Sequence, residues 1–206
     1  VIGPGDVGFM TAGSGVTHTE RTPRSNRAQG EFVMHGYQIW VALPKEPEET
    51  HPRFDFYPST EIPTWKTDAL TFKLVAGNAF GKSAPLRGFS PLFMVDIFAD
   101  KASTIDLRGQ LSGEVAFVIV KGSITEGGQK VEAGQMLISK TDEACEICLD
   151  ENTQLLIFGG EPLPEERFLL WNFVSHSKDR LKQAKEDWMA KKFPEVDGDE
   201  TYIPFP

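Results

Sequence analysis

The chain has 206 residues, 40% of them hydrophobic and 25% charged, which suits one large or two small domains of roughly 100–150 residues each and excludes intrinsic disorder. Asp and Glu number 30 against 21 Lys and Arg, a formal net charge of −9, so the overall field opposes direct binding to a nucleic-acid backbone. No run approaches the roughly 18 apolar residues of a membrane-spanning helix, and two cysteines cannot supply a disulfide framework, which predicts a reducing, intracellular home.

Val1-Ile2-Gly3-Pro4-Gly5-Asp6-Val7 opens inside what reads as a structured segment, with no charged region and apolar stretch of a signal peptide before it. This predicts that a preceding segment lies outside the sequence. Short apolar runs bounded by Gly and Pro follow: Gln38–Leu43, Leu70–Ala76, Leu92–Phe98, Val115–Lys121, Gln135–Ser139, Cys145–Leu149 and Gln154–Phe158. Their length and Val, Ile, Phe and Trp content predict strands, and their spacing an all-β sandwich or barrel. Between the first two runs, Pro44 to Pro63 is rich in Pro and Glu and reads as an extended connector, pinned to a core by Phe54-Asp55-Phe56-Tyr57. Gly127-Gly128 signals a hairpin.

The turn segments around Pro4-Gly5-Asp6-Val7 and Ala133-Gly134-Gln135-Met136 look alike, each a Gly turn feeding an apolar strand, which raises the idea of two related barrels. One helix is legible near the end. Ser177 caps it, Asp179 suits its first turn, Leu181, Ala184 and Trp188 form an apolar stripe, Asp187 and Lys191 form an i,i+4 pair, and Pro194 stops it after Phe193. Beyond it Tyr202, Ile203 and Phe205 are expected to dock on the body.

The stretch of most chemical interest is Pro4 to Glu20, where glycine-rich turns lead into His18-Thr19-Glu20. In an extended tripeptide the first and third side chains share a face, and an imidazole with a carboxylate suits a first-row metal such as iron; the alternative is a polar pair on a surface turn. Three further patterns carry less. Ala76 to Ser83 fits a relaxed phosphate-loop pattern, but Pro85, Gly88 and Pro91 follow and leave no helix to face a phosphate. Cys145-Glu146-Ile147-Cys148 has C-x-x-C spacing, yet in a strand its cysteines point to opposite faces, and two thiols alone do not make a zinc site. The acidic runs Glu46-Pro47-Glu48-Glu49 and Glu195–Glu200 read as solvated surface.

The string PGDVGFMTAGSGVTHTE, followed by HGYQIWVALP (His35 to Pro44), FGKSAP (Phe80 to Pro85), GGEPL (Gly159 to Leu163) and NFVSHSKDRLKQA (Asn172 to Ala184), closely resembles the pirin family over nearly the whole chain. The resemblance implies two stacked cupin barrels (double-stranded β-helix, or jelly-roll), the first incomplete here, with a C-terminal α-helix. It divides the chain into residues 1–57, a remnant of the N-terminal metal-binding cupin plus connector, and residues 58–206, the C-terminal cupin with the helix. The family's iron site has three histidines and a glutamate. His18 and Glu20 match its downstream His-x-Glu pair, and the upstream His-x-His pair has no counterpart among the residues preceding His18. His35 then reads as a core or supporting histidine, His51 as a loop residue and His176 as lying at the start of the helix.

By the same resemblance the complete protein would be a quercetin (flavonol) 2,3-dioxygenase. It would hold one iron, with Glu20 both a ligand and the acceptor of the flavonol hydroxyl proton. This chain alone would be metal-free or weakly loaded, and the second barrel, without a ligand set, structural. The rival expectation is a non-catalytic, redox-sensitive regulatory protein that binds a transcription factor or metabolic enzyme. Under either reading the protein is expected to be cytoplasmic or, in a eukaryote, nuclear, and to bind no DNA, RNA or membrane directly.

Overall fold

Residues 1–139 and 146–206 are described by the structure, a computed structural model. In chain order the strands are β1 (Val7–Thr11), β2 (Arg53–Tyr57), β3 (Thr64–Thr67), β4 (Leu70–Ala79), β5 (Lys82–Ser83), β6 (Leu92–Ala99), β7 (Ser103–Asp106), β8 (Glu114–Lys121), β9 (Ser123–Glu126), β10 (Gln129–Glu132), β11 (Met136–Ser139), β12 (Glu146–Leu149), β13 (Thr153–Gly160), β14 (Phe168–Leu170) and β15 (Phe173–Ser175). The helices are the one-turn α1 (Arg24–Arg27) and α2 (Lys178–Met189), with a 3-10 turn at Ser59–Glu61. The chain divides into two units. One comprises Ile2–Phe9 and Asp55–Leu163; the other comprises Val1, Met10–Phe54 and Pro164–Pro206.

The first unit is an all-β cupin. Its large sheet runs in the order β11-β8-β13-β6-β4-β3, with β5 paired to β4, and its small sheet runs β10-β9-β12-β7. Strict alternation drives this arrangement. In β6 and β8 every second residue is buried, and Val95, Ile97, Phe117, Ile119 and Ile157 of the large sheet meet Ile105, Ile124, Ile147 and Leu149 of the small one in a continuous core. Burying such a side chain stabilises by about 1.5–3 kcal/mol, so the core carries this unit. The strands expected from Leu70 onward are all present, most of them longer by one to three residues at an end. The expected Gly127-Gly128 hairpin joins β9 to β10, with Gln129 opposite Glu126. The phosphate-loop pattern is instead the hairpin β4–β5, Asn78 opposite Ser83, with no helix behind it.

The two similar turn segments adopt the same turn. Gly5 and Gly134 have φ of 84° and 83°, the Asp6 and Gln135 amides each donate 3.1 Å back to the carbonyls of Gly3 and Glu132, and β1 and β11 start at the next residue. Only glycine adopts this backbone without strain.

Five expectations need correction. Gln38–Leu43 is not a strand: residues 31–41 are exposed and irregular, with no ladder neighbour among the described residues, and a strand without hydrogen-bonded neighbours does not persist in water. The Pro44–Pro63 connector holds β2 and the 3-10 turn, and β2 pairs with β1. Phe54 and Phe56 do not pin it: both are exposed, at 58% and 46%, while Asp55 and Tyr57 are half-buried on the opposite face of the strand. Helix α2 ends at Met189, before Pro194, because Lys191 takes φ 54° and the Lys191 and Lys192 amides donate back to the carbonyls of Trp188 and Asp187, closing a Schellman cap. That turn carries Lys191 over the Tyr202 ring, so Asp187 pairs with Lys192 at 3.0 Å instead.

In the second unit, α2 contacts β14 and β15. An aromatic cluster gathers around it: Trp188 meets Trp171, Phe193 and Tyr202, and Trp171 also meets Phe173 and Phe205. The tail docks as expected through Tyr202 and Phe205, but Ile203 is 68% exposed and contributes its carbonyl, which accepts from the Trp188 indole at 2.9 Å.

Candidate metal-motif segment

His18-Thr19-Glu20 lies in irregular backbone, and both His18 and Glu20 are exposed. Beside them the Thr17 hydroxyl is buried without a hydrogen-bond partner. Among the described residues no group of three or more His, Cys, Asp or Glu side chains is placed to hold a metal ion. An imidazole and a carboxylate are apt donors for iron, but two exposed ligands supply neither the charge nor the geometry of a closed site. The donor set of the described residues therefore does not fit a complete iron centre.

The flanks of the pair are held by hydrogen bonds. Upstream, the Ser14 amide donates to the Thr50 carbonyl at 2.9 Å, and Gly13, at φ 52°, lies where a Cβ would stand 2.0 Å from that same carbonyl oxygen. Arg180 of α2 donates from Nη2 to the Ser14 carbonyl at 3.0 Å and forks onto Glu49 at 2.7 and 3.2 Å. Downstream, Arg21 donates from Nε to Asp199 at 2.9 Å and from Nη2 to the Thr201 hydroxyl at 2.9 Å.

The other histidines separate by role. His35 is exposed and meets the Tyr37 ring edge-on at 5.2 Å, so it is not a core residue. The segment around it lacks the strand that would have turned it inward. His51 is an exposed loop residue, as expected. His176 does lie at the start of the helix, and there it meets a residue that sequence reasoning missed. Glu48, assigned above to a solvated acidic run, is 7% exposed, and its Oε2 lies 2.5 Å from His176 Nδ1. The His176 amide donates to both carboxylate oxygens, at 3.2 and 3.3 Å. Burial pushes the Glu48 carboxyl up, but hydrogen bonds from the Ser175 hydroxyl and from His176 outweigh it and hold the group below the usual carboxylate range. No local signal singles out Glu48: Glu46 and Glu49 of the same turn are exposed, and the burial of Glu48 comes from His176, distant in sequence.

Cys148 is exposed on β12, between buried Ile147 and Leu149, on the face expected of it; Cys145 lies outside the described residues. No helix among the described residues is long and apolar enough to cross a membrane.

Comparison with known proteins agrees with this architecture. A family model described as the pirin C-terminal cupin domain matches residues 94–194, and one described as pirin matches residues 1–41. A pirin-like protein of Caulobacter vibrioides is 38% identical across all of this chain, which covers 71% of that protein. Human pirin is 26% identical over 93% of this chain and 66% of its own length. The crystal structure of a quercetin 2,3-dioxygenase from Acinetobacter baumannii superposes with a TM-score of 0.86 at 30% identity, over 100% of this chain and 68% of that one. On the 38% identity to the Caulobacter protein across all of this chain and the cupin architecture of the two-sheet unit, the chain belongs to the pirin family.

Proposed function

We propose that the protein carrying this chain is an oxidoreductase of the quercetin 2,3-dioxygenase type, acting on a flavonol-like aromatic substrate with dioxygen, and that His18 and Glu20 are two ligands of its iron. The observation that carries this reading is the His-x-Glu pair held in a segment fixed at both flanks, within a chain that superposes along its whole length on a protein named for that activity. The remaining histidines of the family's site would have to join the pair. Because the described residues do not complete the donor set, no chemical step is derived through the metal.

Iron analysis of the protein, with dioxygen uptake on adding quercetin, tests the reading. One iron per chain and flavonol-dependent uptake, both lost in His18→Ala and Glu20→Ala, are the expected results. Iron content unchanged in His18→Ala would remove the ligand assignment.

A second reading, a non-catalytic regulatory protein, is favoured by the run Phe32, Val33, Met34, Ile39, Trp40 and Val41, all exposed. Contiguous exposed apolar surface is characteristic of protein contacts. Iron bound without flavonol-dependent uptake, together with metal-dependent affinity for a protein partner, would select it.

A further inference from the structure

Beside the β4–β5 hairpin, within the two-sheet unit, lies a cleft of about 330 Å3 that no role given above uses. Its walls are the end of β4, the loop residues 87–91 and the first residue of β6. A space of this size falls at the small end of organic-ligand sites. Two glycines shape it. Gly77 stands at φ 69°, where a Cβ would lie 1.7 Å from the Leu92 carbonyl oxygen, and a Cβ on Gly88 would lie 2.6 Å from the end of the Leu92 side chain. The start of β6 therefore closes on β4 with no side chain between them. The loop is tied at both ends. The Gly77 amide donates to the Leu86 carbonyl at 3.2 Å, the Ala84 amide to the Gly77 carbonyl at 2.8 Å, and the Glu161 amide to the Pro91 carbonyl at 3.0 Å. The cleft is preformed, and a ligand would not have to order it.

Its chemistry is one-sided. Asn78, Arg87 and Ser90 supply the polar side chains of the wall, and among the described residues no Asp or Glu lines it, in a chain of net charge −9. Arg87 is exposed and makes no ion pair or hydrogen bond among the described residues. Asn78 accepts the Ser83 hydroxyl on Oδ1 at 2.7 Å, which leaves its Nδ2 hydrogens for another acceptor. The Gly88 and Ser90 amides likewise have no acceptor among the described residues. The rest of the wall, Phe89, Pro91 and Leu92, is apolar.

We propose that this cleft binds a small organic monoanion, a carboxylate carried on an aromatic or apolar body. A planar guanidinium matches a carboxylate with two parallel hydrogen bonds, and the amides and Asn78 offer further donors. A single cation balances a single negative charge, which favours a carboxylate over a phosphate dianion. The apolar wall receives the body of the molecule. The proposal is independent of the metal reading, because none of these residues belongs to the His18–Glu20 segment.

The test titrates benzoate into the 15N-labelled full chain at pH 7 and follows amide chemical shifts, with benzamide, its neutral counterpart, and inorganic phosphate as separate arms. Benzoate is expected to shift the amides of residues 77–78 and 88–90 saturably while those of 123–126 in β9 stay still. Benzamide and phosphate should each bind at least about tenfold more weakly, and Arg87→Gln should weaken benzoate by about tenfold or more. Absence of saturable benzoate shifts in these amides would overturn the proposal. So would benzamide binding as tightly as benzoate, which would leave the charge no part, or phosphate doing so, which would leave the apolar wall none. Benzoate affinity unchanged in Arg87→Gln would overturn it as well. Arg87 is exposed, so its replacement leaves the core intact, and the benzamide and phosphate arms, run on the unaltered chain, decide without it.

Discussion

Asp6 and Gln135 occupy the same position of the same turn at two places in the fold. Asp6 Oδ2 accepts from the Gly3 amide at 2.9 Å, and Gln135 Oε1 accepts from the Glu132 amide at 2.8 Å; in each case the residue's own amide closes the turn in return. The two differ in one respect. Asp6 Oδ1 also accepts from the Ser59 amide at 2.8 Å, and the Gly3 and then the Ser59 hydrogen bonds hold its carboxyl below the usual range.

Asp6→Asn should therefore flatten the acid limb of the stability curve, and Gln135→Glu should not reproduce it. The sign follows from linkage. A carboxyl depressed in the folded state contributes stability that is present above its unfolded pKa, about 4, and is lost as pH falls through the folded value. Urea unfolding at pH 7 and pH 3 checks this. An equal pH dependence in wild type and Asp6→Asn would show that the charge does no more than an amide would.

Glu48 should behave alike in sign and differ in reach. Replacing it with Ala leaves the His176 amide and ring nitrogen without their acceptor and is expected to cost about 1–3 kcal/mol, the usual penalty for stranding buried polar groups. Acidification below the carboxylate range should have the same effect in wild type, seen as a rise in amide exchange over residues 44–50. Ser123–Glu126, in the other unit, serves as control for Glu48→Ala. Loss of protection in both segments together would mean that the variant unfolds globally and the contact is not local.

Much of this fold was legible because a short apolar run bounded by turns, as at β4, β6, β8 and β13, is a local property: each strand needs only its own Val, Ile, Leu and Phe content to declare itself. The Ser177 cap and the Gly127-Gly128 hairpin are local in the same sense. What could not be read were outcomes set by distant partners. Gln38–Leu43 has strand composition but no ladder neighbour among the described residues, and Glu48 looks like any acid in a charged run until His176 reaches it across the sequence. Lys191 ends α2 in a left-handed conformation that neither glycine nor asparagine marks. At the candidate site the residue types of His18 and Glu20 were readable, while Glu49, Thr50 and Arg180, which hold their segment, carried no motif.

The aromatic tail gives a sharper test of one hydrogen bond. Trp188 stacks on Tyr202, donates its indole N–H to the Ile203 carbonyl, and accepts the Tyr202 hydroxyl on its own carbonyl at 3.3 Å. Trp188→Phe keeps most of the ring contact and removes the indole donor, so it should cost about 0.5–1.5 kcal/mol, whereas Trp188→Ala should cost more, because it also removes the ring contacts with Trp171, Phe193 and Tyr202. Limited proteolysis at Tyr202–Phe205 should accelerate in both variants, and far more in the second. Equal rates would mean that Phe205 on Trp171 anchors the tail alone.

Phenylalanines in this chain should divide by face, not by composition. Phe117 is fully buried in β8 among residues of both sheets, and truncating it to Ala should cost about 3–5 kcal/mol, through lost transfer energy and the cavity left behind. Phe54, in the aromatic cluster that reads as an anchor in the sequence, is 58% exposed on β2, and Phe54→Ala should fall within about 0.5 kcal/mol of wild type. Urea midpoints for the two variants at one pH decide the matter. A large loss in Phe54→Ala would mean that this ring is covered in solution, by a second copy or by another segment of the chain, and repeating the unfolding at several protein concentrations would distinguish self-association, whose midpoint shifts with concentration, from a contact within the chain, whose midpoint does not.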